Sequence, residues 1–189
     1  MTISNINPAL FIAAARFVST EEARYYLRGV FVQRAKGGGL LYTSTDGHRL
    51  FHAHDANAEM AGDARIIGIA KPKFSAAWLK SDHLTWENGV LSSDDKTLLF
   101  PAAEVDGTFP DYTRIIPSST SGETAHFNYT YLADYQDVAK KCALGTMLVH
   151  HNGQNPSIIT FSEAPAIAVL MPVRTDAVRS DRPVLPHAS

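Results

Sequence analysis

Apolar positions along this chain fall in short bursts, and their spacing switches from helical to alternating in a fixed order. The stretch NPALFIAAARFVST opens on an Asn-Pro start signal and places Leu10, Phe11, Ala14 and Phe17 or Val18 near one helical face. A short leading strand, TIS, precedes it. Three segments rich in aromatic and branched residues follow, YYLRGVFVQ, GLLYTSTD and HRLFHAHDA, divided by the turn signals AKGGG and DG. The pattern predicts a strand, a helix and three strands.

The same order then recurs. RIIGI reads as a strand, KPKFSAAWLK as a helix with proline near its start, and HLTWEN, GVLSSDD and TLLFPAAEVDG as strands, with Asn-Gly marking a hairpin turn. On the third pass AHFNYTYL leads into the helix YLADYQDVAKKCAL, and TMLVHHN, SIITFSE and AIAVLMPVR follow as strands. Similar units at a spacing of about 55 residues imply an architecture built by repetition, because one such unit has too small a face to bury alone. The expected class is α+β, three βαβββ units with their helices on one face of antiparallel sheets. Two compositional breaks divide the chain. SSTSGET at 118–124 reads as a linker, and the Pro-, Asp- and Ser-containing residues 175–189 read as a free, solvated tail. The expected domains are therefore 1–117 (two units) and 125–174 (one unit).

Composition narrows the function. With 189 residues and 45% hydrophobic content a real core can form, and a net charge of -2 leaves no overall basic footprint. Any nucleic-acid contact must come from a local patch. The predicted helices supply one: Arg16 on the first, Lys71, Lys73 and Lys80 on the second, Lys140 and Lys141 on the third. Acids such as Asp94, Asp95, Glu104 and Asp106 fall in strands and loops instead. Helices sharing one side would gather positive charge there, although lysine on exposed helices also serves solubility. The single cysteine, Cys142, cannot form an internal disulfide or a cysteine-rich zinc site and is expected in the core or on a helix. No apolar run approaches bilayer length and the N-terminus lacks a secretion signal, so the expectation is a cytoplasmic protein without membrane contact.

The stretch TSTDGHRL places an acid, a glycine, a histidine and an arginine in succession. Asp46 and His48 can be written as a dyad, but no nucleophile motif accompanies them, and no catalytic residue or enzyme activity is expected. His52, His54 and Asp55, or His150 and His151, invite a metal. His52 and His54 share a strand face, yet no third ligand stands at a characteristic spacing, so neither metal nor cofactor is expected. Arg24, Tyr25 and Tyr26 either touch nucleic acid or pack their strand.

Five collinear segments carry a more specific message: ARYYLRGVFV (23–32), TSTDGHRL (43–50), DGTFPDYTRIIP (106–117), FNYTYLADYQDV (127–138) and VLMPVR (169–174). Together they resemble the bacterial replicative sliding clamp, the beta subunit of DNA polymerase III. In that family three domains of two units each make a subunit, and two subunits close a ring around duplex DNA with helices lining the hole. The resemblance covers the middle domain and the second half of the last domain. It departs after Arg174, where family members end and this chain continues with Thr175 and fourteen further residues.

The resemblance implies a hydrophobic peptide-binding cleft. One wall takes Leu27, Thr45, Gly47, His48, Arg49 and Leu50, the base Pro110, Arg114 and Ile115, and the other wall Val169, Met171, Pro172, Val173 and Arg174. It also implies a DNA-facing set, Arg16, Arg24, Tyr25, Tyr26, Lys71, Lys73, Lys80, Lys140 and Lys141. The implied partners are duplex DNA held without regard to sequence, DNA polymerase and other proteins carrying clamp-binding motifs, and a clamp loader. A homo-oligomer is expected, four three-unit chains restoring the family's count of units with dihedral symmetry. The alternative is a clamp-like decoy that binds the same peptides without encircling DNA.

Overall fold

The computed structural model describes residues 1–69 and 74–174. Its strands are β1 (Thr2–Ile6), β2 (Gly29–Arg34), β3 (Leu40–Thr45), β4 (Arg49–Asp55), β5 (Glu59–Met60), β6 (Arg65–Gly68), β7 (Leu84–Glu87), β8 (Val90–Ser93), β9 (Leu99–Pro101), β10 (Glu104–Val105), β11 (Met147–His150), β12 (Ser157–Phe161) and β13 (Ala166–Leu170). Two α-helices, α1 (Pro8–Ala15) and α2 (Tyr129–Lys141), accompany them.

Both helices start where their sequences dictate. The Asn7 side chain accepts a hydrogen bond from the Leu10 amide at 3.2 Å, and Pro8 occupies the first turn, where its missing N–H costs nothing. Every residue of α1 except Ala9 is buried, so it is a core helix rather than an amphipathic one. Its alanines let the sheet approach closely, and the Ser44 hydroxyl donates to the Ala14 carbonyl at 2.6 Å. Asn128 caps α2 through the Thr130 amide at 3.0 Å. The buried face of α2 is Tyr135, Val138, Ala139 and Cys142, the i, i+3, i+4, i+7 spacing of a surface helix.

The first two units interlock by exchanging strands. β1 pairs with β5 and β7, so that β1 and β5 of the first unit join β7, β8 and β9 of the second in the five-stranded sheet β5-β1-β7-β8-β9. In return β6 pairs with β2 in the eight-stranded sheet β10-β6-β2-β3-β4-β13-β12-β11. The third unit completes that larger sheet. β13 lies antiparallel to β4, with Leu50 opposite Val169 and Arg49 opposite Leu170. A single apolar core runs beneath all three units. Phe17 stacks on Phe51 at 5.6 Å and packs against Tyr135 of α2 at 4.5 Å, joining the units through aromatic contact.

The structure corrects several expected elements. In KPKFSAAWLK the described part, from Phe74 on, forms no α-helix, only a 3-10 turn at Trp78–Lys80. Phe74 lies against Trp78 and Phe100 of β9 with ring centroids 5.3 and 5.0 Å away, so the segment is anchored to the second sheet. Residues 25–27 of YYLRGVFVQ are not strand either, because Glu22–Leu27 is a kinked 3-10 segment leading into β2. The strand expected in AHFNYTYL is absent as well. Residues 121–125 instead bind the turn after β11: the Ser121 amide donates to Asn152 Oδ1 at 2.9 Å, the Gly122 amide to the His151 carbonyl at 3.0 Å. The segment read as a linker is thus strapped to the third unit. The short strand β5 was not visible in the pattern, since two residues carry no periodicity. The tail 175–189 lies outside the described residues.

Candidate functional site

The β4–β13 junction brings two distant sequence stretches to one place. At the strand ends, the Met171 amide donates to the His48 carbonyl at 3.2 Å, extending the ladder past its last regular pair. A shallow groove forms there, lined by Thr45, Gly47, His48, Arg49, Leu50, Ile115, Val169 and Met171. It holds about 10 Å³, the space of at most one water, so it is a shallow surface depression.

The 45–49 turn is shaped by its own hydrogen bonds. Asp46 Oδ1 accepts from the amides of His48 at 3.0 Å and Arg49 at 3.2 Å, while the Thr45 hydroxyl accepts from the Gly47 amide at 3.0 Å and donates to the Arg49 carbonyl at 2.7 Å. Asp46 is therefore a turn former, and its pairing with His48 is backbone geometry rather than a catalytic dyad. Gly47 has φ of 93°, a backbone conformation that side chains resist, and a β-carbon there would strike the Arg24 guanidinium.

Arg49 holds the wall from behind. Its Nε donates to Asp46 at 2.9 Å and its Nη1 to Asp134 of α2 at 2.6 Å, while the guanidinium lies over the Tyr131 ring at 4.7 Å. Burial opposes its charge, but the hydrogen bonds to Asp134 and Asp46 outweigh that and raise its pKa. With a side chain only 12% exposed, this guanidinium is already committed. His48 stacks on the other part of the same device, Tyr131, at 5.9 Å. Beneath the junction the buried Tyr135 hydroxyl lies 3.0 Å from the Leu50 carbonyl and 3.2 Å from that of Val169, pinning both strands to α2. Burial pushes the Tyr135 hydroxyl well above the ordinary tyrosine pKa, so it stays a donor.

The remaining cleft candidates lie around this groove. Leu27 is buried in a satellite cluster with Leu50, Ile66, Phe109, Tyr112 and Val169, against which Ile115 packs, so it supports the floor without lining it. Pro110 and Arg114 flank and end the 3-10 turn Tyr112–Ile115, both exposed, with Arg114 3.6 Å from Asp111. Val173 is held by its amide, which donates to the His126 carbonyl at 2.7 Å; Pro172 is half-buried and Arg174 exposed.

The DNA-facing candidates divide into two places. Arg16 and Lys141 share one cavity of about 300 Å³ between α1, α2 and the Phe74–Leu79 segment, and both pair with Asp137, at 3.9 and 2.8 Å. Lys80 ends the neighbouring 3-10 turn and Lys140 lies in the last turn of α2, both exposed. Arg24, Tyr25 and Tyr26 sit elsewhere: Arg24 pairs with Glu21 at 3.2 Å beside Gly47, and the tyrosines border Gly107. Lys71 and Lys73 lie outside the described residues. His52 and His54 do share a strand face, but His52 Nδ1 engages the Thr43 hydroxyl at 2.9 Å and His54 Nε2 the Gly38 carbonyl at 2.9 Å. Among the described residues no three His, Cys, Asp or Glu side chains gather as a metal-ion group.

Sequence reasoning missed three residues that build the site, Tyr131, Asp134 and Tyr135. They stand inside the quoted FNYTYLADYQDV segment at helical spacing, but nothing local says that this helix faces the TDGHR turn.

Comparison with solved structures decides the architecture. The sliding clamp of Bartonella birtlesii, solved bound to griselimycin, superposes with a TM-score of 0.64 at 21% identity, covering 92% of this chain and 65% of that one. DNA polymerase III subunit beta of Borrelia burgdorferi gives 0.69 at 14% identity, over 92% and 64%. This chain has the sliding-clamp fold. Sequence points the same way. The chain is similar to the beta sliding clamp of Caulobacter vibrioides, 38% identical over 112 residues, 53% of this chain and 29% of that protein. To the beta sliding clamp of Rickettsia bellii it is 30% identical over 145 residues, 64% of this chain and 37% of that protein. The sliding-clamp match thus spans about a third of the length of these curated relatives. No family model matches the chain.

Proposed function

We propose that this chain is a non-enzymatic DNA sliding clamp that encircles duplex DNA and tethers replication proteins, DNA polymerase among them, through the groove at the β4–β13 junction. The observation that carries the reading is the continuous ladder from Leu50–Val169 to the His48–Met171 bond, which sets apolar Leu50, Ile115, Val169 and Met171 beside one another. A partner would insert a short apolar peptide there, with the flexible Met171 swinging aside to deepen the shallow groove. Arg174 and Arg114, both exposed, would meet the peptide's acidic or polar groups. Arg49 positions the wall instead. Lys80, Lys140 and the shared Arg16–Lys141 face would meet phosphates without reading bases, a contact weak enough to slide.

A three-unit chain needs further copies to surround a duplex, and four copies with dihedral symmetry are the arrangement we favour. A clamp loader would place the ring on DNA, in the cytoplasm; among the described residues no helix is long and apolar enough to cross a membrane. One observation favours a second reading. The groove is complete within a single chain, so a copy that never closes a ring would act as a decoy for clamp-binding peptides. Retention on circular against linear duplex DNA separates the two. A clamp stays on circles and slides off linear ends, whereas a decoy binds peptide and shows no difference; loss of both peptide and DNA binding removes both readings.

A further inference from the structure

Among the described residues the eight-stranded sheet ends at β11, whose only strand neighbour there is β12. The Ser162 amide donates to the Thr146 carbonyl at 3.1 Å, in register with the pairing of Leu148 to Thr160. Antiparallel strands direct alternate residues to alternate sides, so the backbone groups of Thr146, Leu148 and His150 face β12 and those of Met147 and Val149 face outward. The next outward carbonyl, that of His151, is already taken by the Gly122 amide. A free edge of two residues remains.

Nothing on this edge discourages pairing. It carries no proline and no charged side chain from Thr146 to Val149. Leu148 is 54% exposed on the outer face, while Met147 and Val149 pack partly against the core on the other. The other sheet edges differ. β5 and β10 have two residues each, with a glutamate in both. On β9, the bonds of Ala102 to Gly89 and Ser93 to Leu98 leave Leu99 and Pro101 facing outward, and Pro101 has no N–H to give.

We propose that the β11 edge is a self-pairing surface, joining two copies of this chain antiparallel about a twofold axis through Leu148. Of the possible registers this one uses every free group: the amides and carbonyls of Met147 and Val149 in one copy meet those of Val149 and Met147 in the other. An axis through Val149 would instead bring Met147 against the occupied His151 carbonyl. At the axis the two exposed leucines meet, and on the inner face each Met147 lies beside a Val149. Two eight-stranded sheets become one of sixteen strands. The absence of charge near the axis matters, because a twofold contact sets like against like. The inference stands on the edge alone and does not depend on the cleft reading, since the cleft occupies the opposite, β13 side of the third unit.

Sedimentation across a hundredfold concentration range tests it, with the full chain and Leu148→Lys. The wild type is expected at a multiple of 20.6 kDa, and L148K at half the wild type's mass, with unchanged thermal unfolding of the monomer because the side chain is exposed. Leu148→Cys supplies an independent readout. At a non-hydrogen-bonded antiparallel site the two α-carbons stand about 4.5 Å apart, within disulfide reach, so mild oxidation links the pair while the buried Cys142 stays silent. Val149→Pro, which removes an outward amide without touching the β12 ladder, is expected to act like L148K. A wild type at 20.6 kDa throughout overturns the proposal, as does an oligomer that L148K leaves intact and L148C fails to trap. Peptide binding measured on the same samples keeps the two readings apart, because L148K leaves the cleft untouched.

Discussion

The Tyr135 hydroxyl lies 3.0 Å from the Leu50 carbonyl and 3.2 Å from the Val169 carbonyl, so one buried side chain of α2 touches both strands that meet beneath the groove. Leu50 and Val169 stand at a hydrogen-bonded site of the β4–β13 ladder and their carbonyls keep those partners, so removing that hydroxyl takes away one further buried hydrogen bond. Tyr135→Phe is expected to cost about 1–2 kcal/mol of stability, read by denaturant unfolding, and to weaken peptide binding by loosening the junction.

Arg49 makes the corresponding prediction on the wall. Its guanidinium is occupied by Asp46 and Asp134, so Arg49→Ala should lower the unfolding free energy by about 1–3 kcal/mol and disorder the 45–49 turn. Arg174→Ala should leave stability alone and weaken only an acidic peptide, with a shallower salt dependence of binding. Equal effects of the two substitutions on binding, with no difference in stability, would contradict the division of roles.

His52 gives the chain a pH dependence. Burial, then the neighbouring His54, lowers its pKa below the ordinary histidine value. The unfolded chain therefore takes up this proton first as pH falls, and the folded state loses stability from about pH 6.5 down to the lowered pKa. Above that window the contribution is complete. Thermal unfolding of the wild type should fall between about pH 7 and pH 5, and His52→Gln should flatten that slope.

Asp55 is a buried tie between the sheet and α1. Its Oδ2 accepts from the Tyr42 hydroxyl at 2.8 Å and from the Asn7 amide at 2.7 Å, just where α1 begins. Asp55→Ala leaves the buried Tyr42 hydroxyl unpaired in the core and takes the Asn7 amide's partner at the exposed start of α1, and a loss of about 1–3 kcal/mol is expected by chemical denaturation.

Much of this was legible in the chain. Strands β1 to β4, β6 to β8 and β11 to β13 follow alternating or short apolar runs, TLLFPAAEVDG reads as one strand but splits into β9 and β10, and the Asn-Pro pair marks the start of α1, while α2 begins at Tyr129, two residues before the helix read from YLADYQDVAKKCAL. The TDGHRL and VLMPVR segments meet, as the resemblance implied, because β13 pairs with β4. Other features depend on contacts that no local pattern encodes. In the described part of the second expected helix, from Phe74 on, a 3-10 turn stands instead, with Phe74 packed on Phe100 of the distant strand β9. Residues 118–124 read as a linker from their polar composition, yet the Ser121 and Gly122 amides find partners on the turn after β11. Arg49 looked like a ligand-facing cation, and only its proximity to Asp134, 85 residues later, turns it into a support.

The central claim is that apolar residues at the β4–β13 junction grip a peptide. Met171 offers the cleanest probe, being 39% exposed at the groove and beyond the last regular strand pair. Fluorescence anisotropy of a labelled short peptide with apolar anchors should show saturable binding to the wild type and at least a tenfold loss for Met171→Glu at unchanged unfolding temperature. Equal binding by M171E and the wild type would contradict the account.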